Sequence, residues 1–395
     1  MKRIYMDHAA TTQLSQKALE AMLPYFREEY GNPSAVYSYG QAAKNALEKC
    51  RNRVAKAIGA LPTEIYFTSG GTESDNWAIR SICRMKCEKG KHIITTQMEH
   101  NAVRRTLEQL EEDGYEVTYL QPDRRGQITA EQLEAAIRED TILVTIMLAN
   151  NVVGTVLDIR ALAAVTRKHR ILFHTDAVQA VGHIPVNVRQ LGVDFLSISG
   201  HKFNGPKGVG VLFCKLPNRL RPLLTGGGQE KEERSGTENI PAIVGMTEAL
   251  EENIGSLKEN MEYLNGLMKR MNESLTELPG VYPTGDPAHR LPGFCSYVIE
   301  GIPHSVLLVN KLNEQNICVS SGSACSASSK EASHVLLSLG YENPLASGAL
   351  RLTFGIDNTE DDVIHAAEAV KAAIQMIRAE QVSRAPRLEG RVTEI

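Results

Sequence analysis

The sequence predicts an α/β protein with a large domain built on a mostly parallel sheet and a smaller α+β domain at the C-terminal end. Two observations predict this fold class. Up to about residue 214, short β-branched apolar segments alternate with longer amphipathic segments, as parallel strands joined by helices do. Beyond residue 237 that alternation stops and a long helical stretch begins.

Seven segments are strand candidates for the sheet. They are mostly continuous apolar runs, which indicates a sheet covered by helices on both faces. Only a short Gly/Pro loop separates the last two, so that pair should form an antiparallel hairpin or an edge arrangement. The strand segments are residues 64–68, 92–96, 116–120, 142–147, 171–175, 194–199 and 209–214. The helix candidates between them lie near residues 72–87, 100–112, 130–138 and 158–169.

The remaining sequence predicts the second domain. Residues 238–277 have mostly helical periodicity and lead into it. Its candidate elements are strands at residues 296–301 and 349–354 and helices near residues 304–315, 330–339 and 359–378. We therefore assign residues 15–255 to the large domain, and residues 1–14 together with 256–395 to the small domain.

The composition is that of an ordinary globular protein. The chain of 395 residues has 42% hydrophobic and 23% charged residues, and its formal net charge is -4. Because there is no basic excess and no long apolar run, we expect neither a nucleic-acid partner nor a membrane partner. The N-terminus lacks the pattern of a secretory signal, and an odd number of cysteines, seven, argues against a disulfide framework. These features favour a reducing, cytoplasmic compartment.

Metal binding is not expected. Cys83 and Cys87 could share one face of a helix, but no Cys or His pair with zinc spacing lies nearby in the sequence. Buried thiols are therefore favoured over a metal site at these positions.

The string TSGGTESDN at residues 68–76 follows a strand and opens a helix. Gly70 and Gly71 allow a tight turn that exposes backbone N–H groups, and a helix N-terminus attracts anions. The pattern is neither a P-loop nor the GxGxxG of dinucleotide-binding proteins. It predicts a phosphate site or, equally, an ordinary strand-to-helix turn with a capping Thr and Glu.

Two further strings place charged residues just after strands. Asp176 in FHTDAVQAVG follows an apolar strand, where open α/β sheets bind ligands, and Gln179 lies three residues on. Asp176 is either a ligand to a cation or a helix N-cap. Lys202 in SISGHKFNGPKGVG lies between Gly200 and Gly205, a context that favours Schiff-base formation or, alternatively, a phosphate or carboxylate clamp.

In this order, the three strings resemble fold-type I enzymes that use pyridoxal 5′-phosphate (PLP). The chain is similar to the NifS/IscS-like class of cysteine desulfurases nearly end to end. Further strings that carry the resemblance are MDHAATT, GNPSAVYSYG, MEHNAV, NNVVG, GGGQEKEERSGTEN, SSGSACSASS and LRLTFG. The resemblance implies a fold-type I PLP-dependent transferase with a seven-stranded sheet, and a homodimer.

The resemblance also implies a role for individual residues. Lys202 would hold PLP covalently, and Asp176 would face the pyridine nitrogen. Gln179 would contact the phenolic oxygen of PLP, Asn151 would contact the ring and the substrate, and His100 would stack on the ring and act as an acid or base.

The same resemblance assigns the phosphate and substrate contacts. Thr237 would reach the phosphate from the neighbouring subunit, and Arg351 would bind the substrate carboxylate, to which a guanidinium fork is suited. The residues expected to bind the phosphate within one chain are Gly71, Thr72, Ser199 and His201.

Cys325 lies in a run of small residues, SSGSACSASS, which makes a poor core and a poor helix. Taken alone, it is more often an oxidisable bystander than a nucleophile. The resemblance makes it the sulfur acceptor. L-Cysteine would be converted to L-alanine, and the Cys325 persulfide would pass sulfur to an acceptor in iron–sulfur cluster assembly, thio-cofactor synthesis or tRNA thiolation.

The chain departs from the family pattern at three places, and the third leaves the sulfur acceptor open. Val152 stands where the family usually has glutamate, Tyr37 where it commonly has histidine, and the C-terminal tail does not resemble the one that docks an iron–sulfur scaffold. The alternatives are a selenocysteine lyase, which would not depend on Cys325, an amino-group-transferring relative, and a sulfur-relay subunit with altered catalysis.

Overall fold

The computed structural model describes residues 3–322 and 332–384 of the chain. In chain order its strands are β1 (Ile4–Tyr5), β2 (Ile65–Thr68), β3 (His92–Thr96), β4 (Glu116–Leu120), β5 (Thr141–Thr145), β6 (Leu172–Asp176), β7 (Phe195–Ser199), β8 (Gly210–Cys214), β9 (Val281–Pro283), β10 (Phe294–Ile299), β11 (Ile317–Cys318) and β12 (Ala349–Thr353). Its α-helices are α1 (Gln16–Met22), α2 (Pro24–Arg27), α3 (Ser38–Ile58), α4 (Gly71–Lys86), α5 (Asn101–Glu112), α6 (Ala130–Ala136), α7 (Ile159–His169), α8 (Val188–Leu191), α9 (Ile240–Gly255), α10 (Leu257–Thr276), α11 (Ser305–Asn313), α12 (His334–Ser338), α13 (Asn343–Ser347) and α14 (Glu360–Arg384).

A seven-stranded sheet forms the centre of the large α/β region, in the order β2-β8-β7-β6-β5-β3-β4. Strands β4, β3, β5, β6 and β7 run parallel to one another. Strand β8 runs antiparallel to both β7 and β2. The mostly parallel sheet and the antiparallel β7–β8 pair are therefore confirmed, and β8 is an internal strand.

The sheet brings several strand ends to one edge. Every residue of β3, β5, β7 and β8 is buried, because helices cover both faces. At the carboxyl end of β6 lies Asp176, and at that of β7 lies Ser199. The chain turns through a short 3₁₀ helix, Gly200–Lys202, directly after β7, which places Lys202 at the same edge.

The C-terminal region has its own antiparallel sheet, in the order β12-β10-β9. Helices α10, α11 and α14 pack on it around an apolar core that also includes Ile4 and Met6 from the start of the chain. Strand β1 pairs in parallel with β11, so that Ile4 faces Ile317 and Tyr5 faces Cys318. The first residues of the chain therefore share a core with the C-terminal region.

One feature of the helices differs from the expectation. Residues 238–277 form two helices, because Ser256 leaves the helical conformation at φ -113° and ψ 20°. Gly245 lies inside α9, where a Cβ would lie 2.4 Å from the sulfur of Met22, so it permits a close approach of α1. Within residues 3–322 and 332–384, no helix combines the length and apolar character that crossing a bilayer requires.

Candidate active site

A cavity of about 260 Å³ opens at the edge of the sheet where β6 and β7 end. Its walls come from the carboxyl ends of these strands, the start of α4, the loops after β3 and β5, and Arg351 of β12. The predicted site residues that line it are Gly71, Thr72, His100, Asn151, Asp176, Gln179, Ser199, His201, Lys202 and Arg351. The structure therefore brings ten of the twelve predicted residues together.

The start of α4 forms one end of the site. Gly70 has φ 150°, and a Cβ on Gly71 would lie 2.6 Å from Val178, so the turn leaves no room for a side chain at residue 71. Glu73 accepts a hydrogen bond from the Ser69 backbone N–H at 2.8 Å. An adjoining recess of about 330 Å³ includes His201 and Lys207. Backbone N–H groups at a helix N-terminus, with a lysine beside them, suit a phosphate.

Asp176 is buried at the end of β6, where 6% of its surface is exposed. Its Oδ1 accepts a hydrogen bond from the Val178 backbone N–H at 2.9 Å. Burial raises the pKa of Asp176, and the nearby His100 and Lys202 act in the opposite direction. No α-helix begins at Asp176, so the ligand interpretation is favoured over the N-cap. A buried carboxylate in this position is stabilised by a cationic partner.

Lys202 reaches back to the start of the chain. Its Nζ donates hydrogen bonds to the carbonyl oxygens of Ala9 at 2.5 Å and Ala10 at 2.9 Å. Gln179 also donates to the Ala9 carbonyl, at 2.9 Å. Two carbonyl oxygens therefore fix the position of the amino group at the mouth of the cavity.

His100 caps the N-terminus of α5. Its Nδ1 accepts a hydrogen bond from the Ala102 backbone N–H at 3.1 Å. Burial lowers the pKa of His100 below its ordinary value, so the imidazole is neutral at neutral pH. Because Nδ1 is an acceptor, the single ring proton resides on Nε2.

Arg351 is 2% exposed and holds several partners. Its Nη1 donates to the backbone oxygens of Asn151 at 2.6 Å and Gly322 at 3.2 Å, and its Nη2 donates to Asp7 at 2.6 Å. Its Nε is buried and has no hydrogen-bond partner within the described part of the chain. An unsatisfied N–H of this kind is ready to bind an acceptor from a ligand.

Some cavity residues were not predicted from the sequence. Burial and the neighbouring Asp176 raise the pKa of Asp75 well above its usual range, and burial raises the pKa of Glu99 to about 8. The Glu99 carboxyl group is therefore mostly protonated at neutral pH. His334 and Val152 also line the cavity. Glu99 directly precedes His100 in the string MEHNAV, but nothing in the sequence indicates that it would be buried.

Two predicted residues are not seen in the cavity. Thr237 is exposed and does not line the cavity of its own chain. The prediction for Cys325 lies outside the described residues, as does most of the tail beyond α14.

Comparison with known proteins identifies the family. Residues 4–365 match the aminotransferase class-V family. Cysteine desulfurase IscS of Methanosarcina thermophila is 45% identical over 377 residues, which cover 95% of this chain and 93% of that protein. The chain belongs to the cysteine desulfurase family. Among solved structures, a NifS-like protein has a TM-score of 0.90 at 36% identity and covers 95% of this chain and 100% of its own. SspA, solved in complex with cysteine, has a TM-score of 0.78 at 34% identity and covers 89% of this chain and 99% of its own.

PLP is the cofactor of the desulfurase family, and the residues present here fit it. A buried carboxylate at Asp176 suits a protonated ring nitrogen, and the start of α4 suits a phosphate. The Lys202 amine lines the same cavity. The three chemical ends of PLP thus have complementary groups in this one site.

Proposed function

We propose that this chain is a PLP-dependent cysteine desulfurase that converts L-cysteine to L-alanine and holds the sulfur as a persulfide on Cys325. One observation carries the proposal. A single cavity brings together Lys202, Asp176, His100 and Arg351, in a chain that is 45% identical to a cysteine desulfurase over 95% of its length.

Arg351 would bind the substrate. Its Nε and Nη2 share one edge of the planar guanidinium, and a carboxylate can accept from both at once. Asn151, whose backbone oxygen accepts from Nη1, lines the same part of the cavity. Binding the carboxylate here would point the Cα of the amino acid toward Lys202.

PLP, when bound, supplies an electron sink for the negative charge that develops at the substrate Cα. Lys202 would remove the Cα proton, since it is the amine nearest to the ring position expected from the family. His100 accepts a hydrogen bond at Nδ1 and so carries its proton on Nε2, from which it would donate to the substrate and then take the proton back. Asp176 and Arg351 are both buried, so the two charges would face a bound ligand with little competition from water.

Cys325 would accept the sulfur. The Cβ–Sγ bond of cysteine breaks as an S–S bond to Cys325 forms. Cβ gains one proton, which in net terms comes from the Cys325 thiol, and so becomes the methyl group of alanine. The electrons that leave sulfur remain on carbon, so no outside oxidant is required.

The test is to incubate the PLP-loaded protein with L-cysteine and no reductant, quantify alanine and map the persulfide by mass spectrometry. We expect alanine and a persulfide on Cys325, with persulfide formation lost and alanine release falling about 10³-fold in Cys325→Ser, because the nucleophile is removed. Cys87→Ser is the matched control, since Cys87 is an exposed free thiol.

Each other outcome redirects the proposal. Undiminished sulfur release by Cys325→Ser would contradict the role of Cys325. If the protein also used selenocysteine better than cysteine, a selenocysteine lyase would be favoured. Bound PLP with no alanine from the unmodified protein would favour a sulfur-relay subunit or a different amino acid.

The active unit is proposed to be a homodimer in which Thr237 contacts the phosphate of the partner's site. Thr237 lies in a segment that a buried ion pair holds against α3: Glu230 accepts from Arg51 at 2.7 and 2.8 Å. Large exposed apolar side chains are concentrated in residues 19–39, including Phe26, Tyr30 and Val36, and a second subunit would cover them. Sedimentation should give twice the mass of one chain, and a monomer that is fully active would rule this arrangement out.

The sulfur acceptor is proposed to be a protein, either an iron–sulfur scaffold or a thiolation enzyme, in a reducing, cytoplasmic compartment. A protein-bound persulfide must be delivered by direct contact. The six cysteines of the described ranges are free thiols, as such a compartment favours. Transfer of ³⁵S from labelled L-cysteine to a candidate acceptor would identify it, and release of all the label as sulfide would argue against a dedicated protein.

A further inference from the structure

The start of the chain passes through the active site and contacts both of its cationic side chains. Residues 6–12, here called the N-terminal strap, lie between β1 and α1. The Ala9 and Ala10 carbonyls of the strap accept hydrogen bonds from Lys202, and Asp7 accepts one from Arg351. The strap is anchored through Tyr5, whose hydroxyl donates to the carbonyls of Asp7 at 3.0 Å and Thr11 at 2.9 Å.

Asp7 and Arg351 form an ion pair that is largely buried. The Nη2–Oδ1 distance is 2.6 Å, and the side chains are 18% and 2% exposed. Asp7 occupies one N–H of Nη2, while two backbone carbonyls occupy Nη1. The N–H groups left over, on Nε and Nη2, are the pair that would bind a substrate carboxylate. A bound amino acid would therefore share one guanidinium with Asp7.

We propose that Asp7 is a built-in counter-carboxylate that weakens the binding of α-carboxylates to Arg351, so that the amino-acid product is readily released. Asp7 acts through Arg351 and is not itself a catalytic residue. The inference rests on the proposed function for the identity of the ligand. Through Asp7, the strap would set the affinity of Arg351 for the α-carboxylate of the ligand.

Asp7 should weaken the binding of a carboxylate to Arg351, because it adds negative charge and is not required to position the guanidinium. The backbone oxygens of Asn151 and Gly322 hold the guanidinium in place without it. The charge of Asp7 neutralises Arg351 when the site is empty, and would lie within about 6 Å of a carboxylate bound to the same guanidinium. At an effective dielectric constant of about 20, that repulsion is large enough to weaken binding about tenfold or more.

The experiment compares two ligands that differ only in the carboxylate. L-Alanine and ethylamine are titrated into the PLP-loaded protein, and Kd is read from the change in visible absorption. In Asp7→Asn, which keeps an acceptor oxygen but loses the charge, Kd for L-alanine should fall about tenfold. Kd for ethylamine should stay within twofold of the unmodified protein. Asp357→Asn is the matched control, because it removes another carboxylate beside the strap, one that pairs with His8 at 3.5 Å. Both of its Kd values should be unchanged.

Three results would overturn the proposal: an unchanged Kd for L-alanine, a raised Kd, or an equal change for both ligands, which would show a general structural effect. If Asp7→Asn fails to fold, Asp7→Ser provides the same test, since its hydroxyl keeps an acceptor without charge. The binding comparison can be read even if the unmodified protein releases no alanine from cysteine, so failure of the proposed function remains distinguishable.

Discussion

Lys202→Ala should lower alanine release from L-cysteine by about 10³- to 10⁴-fold, the contribution of a positioned proton-transfer group. The variant loses the amine that would hold PLP and move the Cα proton. It also loses the hydrogen bonds to Ala9 and Ala10. The measurements are alanine release at saturating cysteine and the PLP retained after gel filtration, which should also fall.

Two further variants test whether the amine of Lys202 or only its positive charge is required. Lys202→Arg keeps a cation near the strap but has no amine of suitable pKa, and should be as inactive as Lys202→Ala. Lys215→Ala removes a half-exposed lysine that lies 3.8 Å from Asp194, away from the cavity, and should retain full activity. Substantial activity in Lys202→Arg would contradict the assigned role, because it would show that a positive charge alone suffices.

Asp176→Asn should lower alanine release by about 10³-fold, comparable with the loss of one preorganised electrostatic group in other active sites. An amide carries no negative charge, so it cannot favour a protonated ring nitrogen opposite it. The fold should survive, because the Asn side-chain oxygen can still accept from the Val178 backbone N–H. Alanine release and the visible absorption spectrum of bound PLP are the two measurements.

Asp194→Asn is the matched control for this prediction. Asp194 is a carboxylate at the opposite edge of the same sheet, where it accepts from the Phe173 backbone N–H at 3.0 Å. Its substitution should leave the spectrum and the activity in place. If Asp176→Asn has the spectrum and rate of the unmodified protein, then the charge of Asp176 does not act on the cofactor.

Much of the sheet could be predicted because a strand covered on both faces must be apolar at nearly every position. Strand β3 coincides with the predicted residues 92–96, and β8 lies within the predicted residues 209–214. No element was predicted over residues 16–58, which contain α1, α2 and α3. They precede the first strand of the sheet, so the alternation of strand and helix did not extend to them, although Leu47 and Val54 mark the buried face of α3.

The candidate site was predicted where it depends on the ends of strands. Asp176 and Lys202 follow strands directly, and strand ends can be recognised from local sequence. Asp7 and Glu99 were not predicted, because their surroundings are made by distant parts of the chain. Asp7 pairs with a residue 344 positions away. Glu99 accepts hydrogen bonds from the Thr96 hydroxyl and from the backbone N–H of Met147, which lies 48 positions away.

Because β1 pairs with β11, the first residues of the chain cannot take their final positions until the C-terminal region has been synthesised. The strap leaves the ribosome first, but the strand that fixes it and the arginine that Asp7 contacts are synthesised only near the end. Once residue 214 has been made, the growing chain holds every strand of the central sheet, yet Arg351 and the strand that pairs with β1 are still to be synthesised. The residues proposed to hold the cofactor and the arginine proposed to bind the substrate are therefore made at different times, and the strap can connect them only when the polypeptide is almost complete.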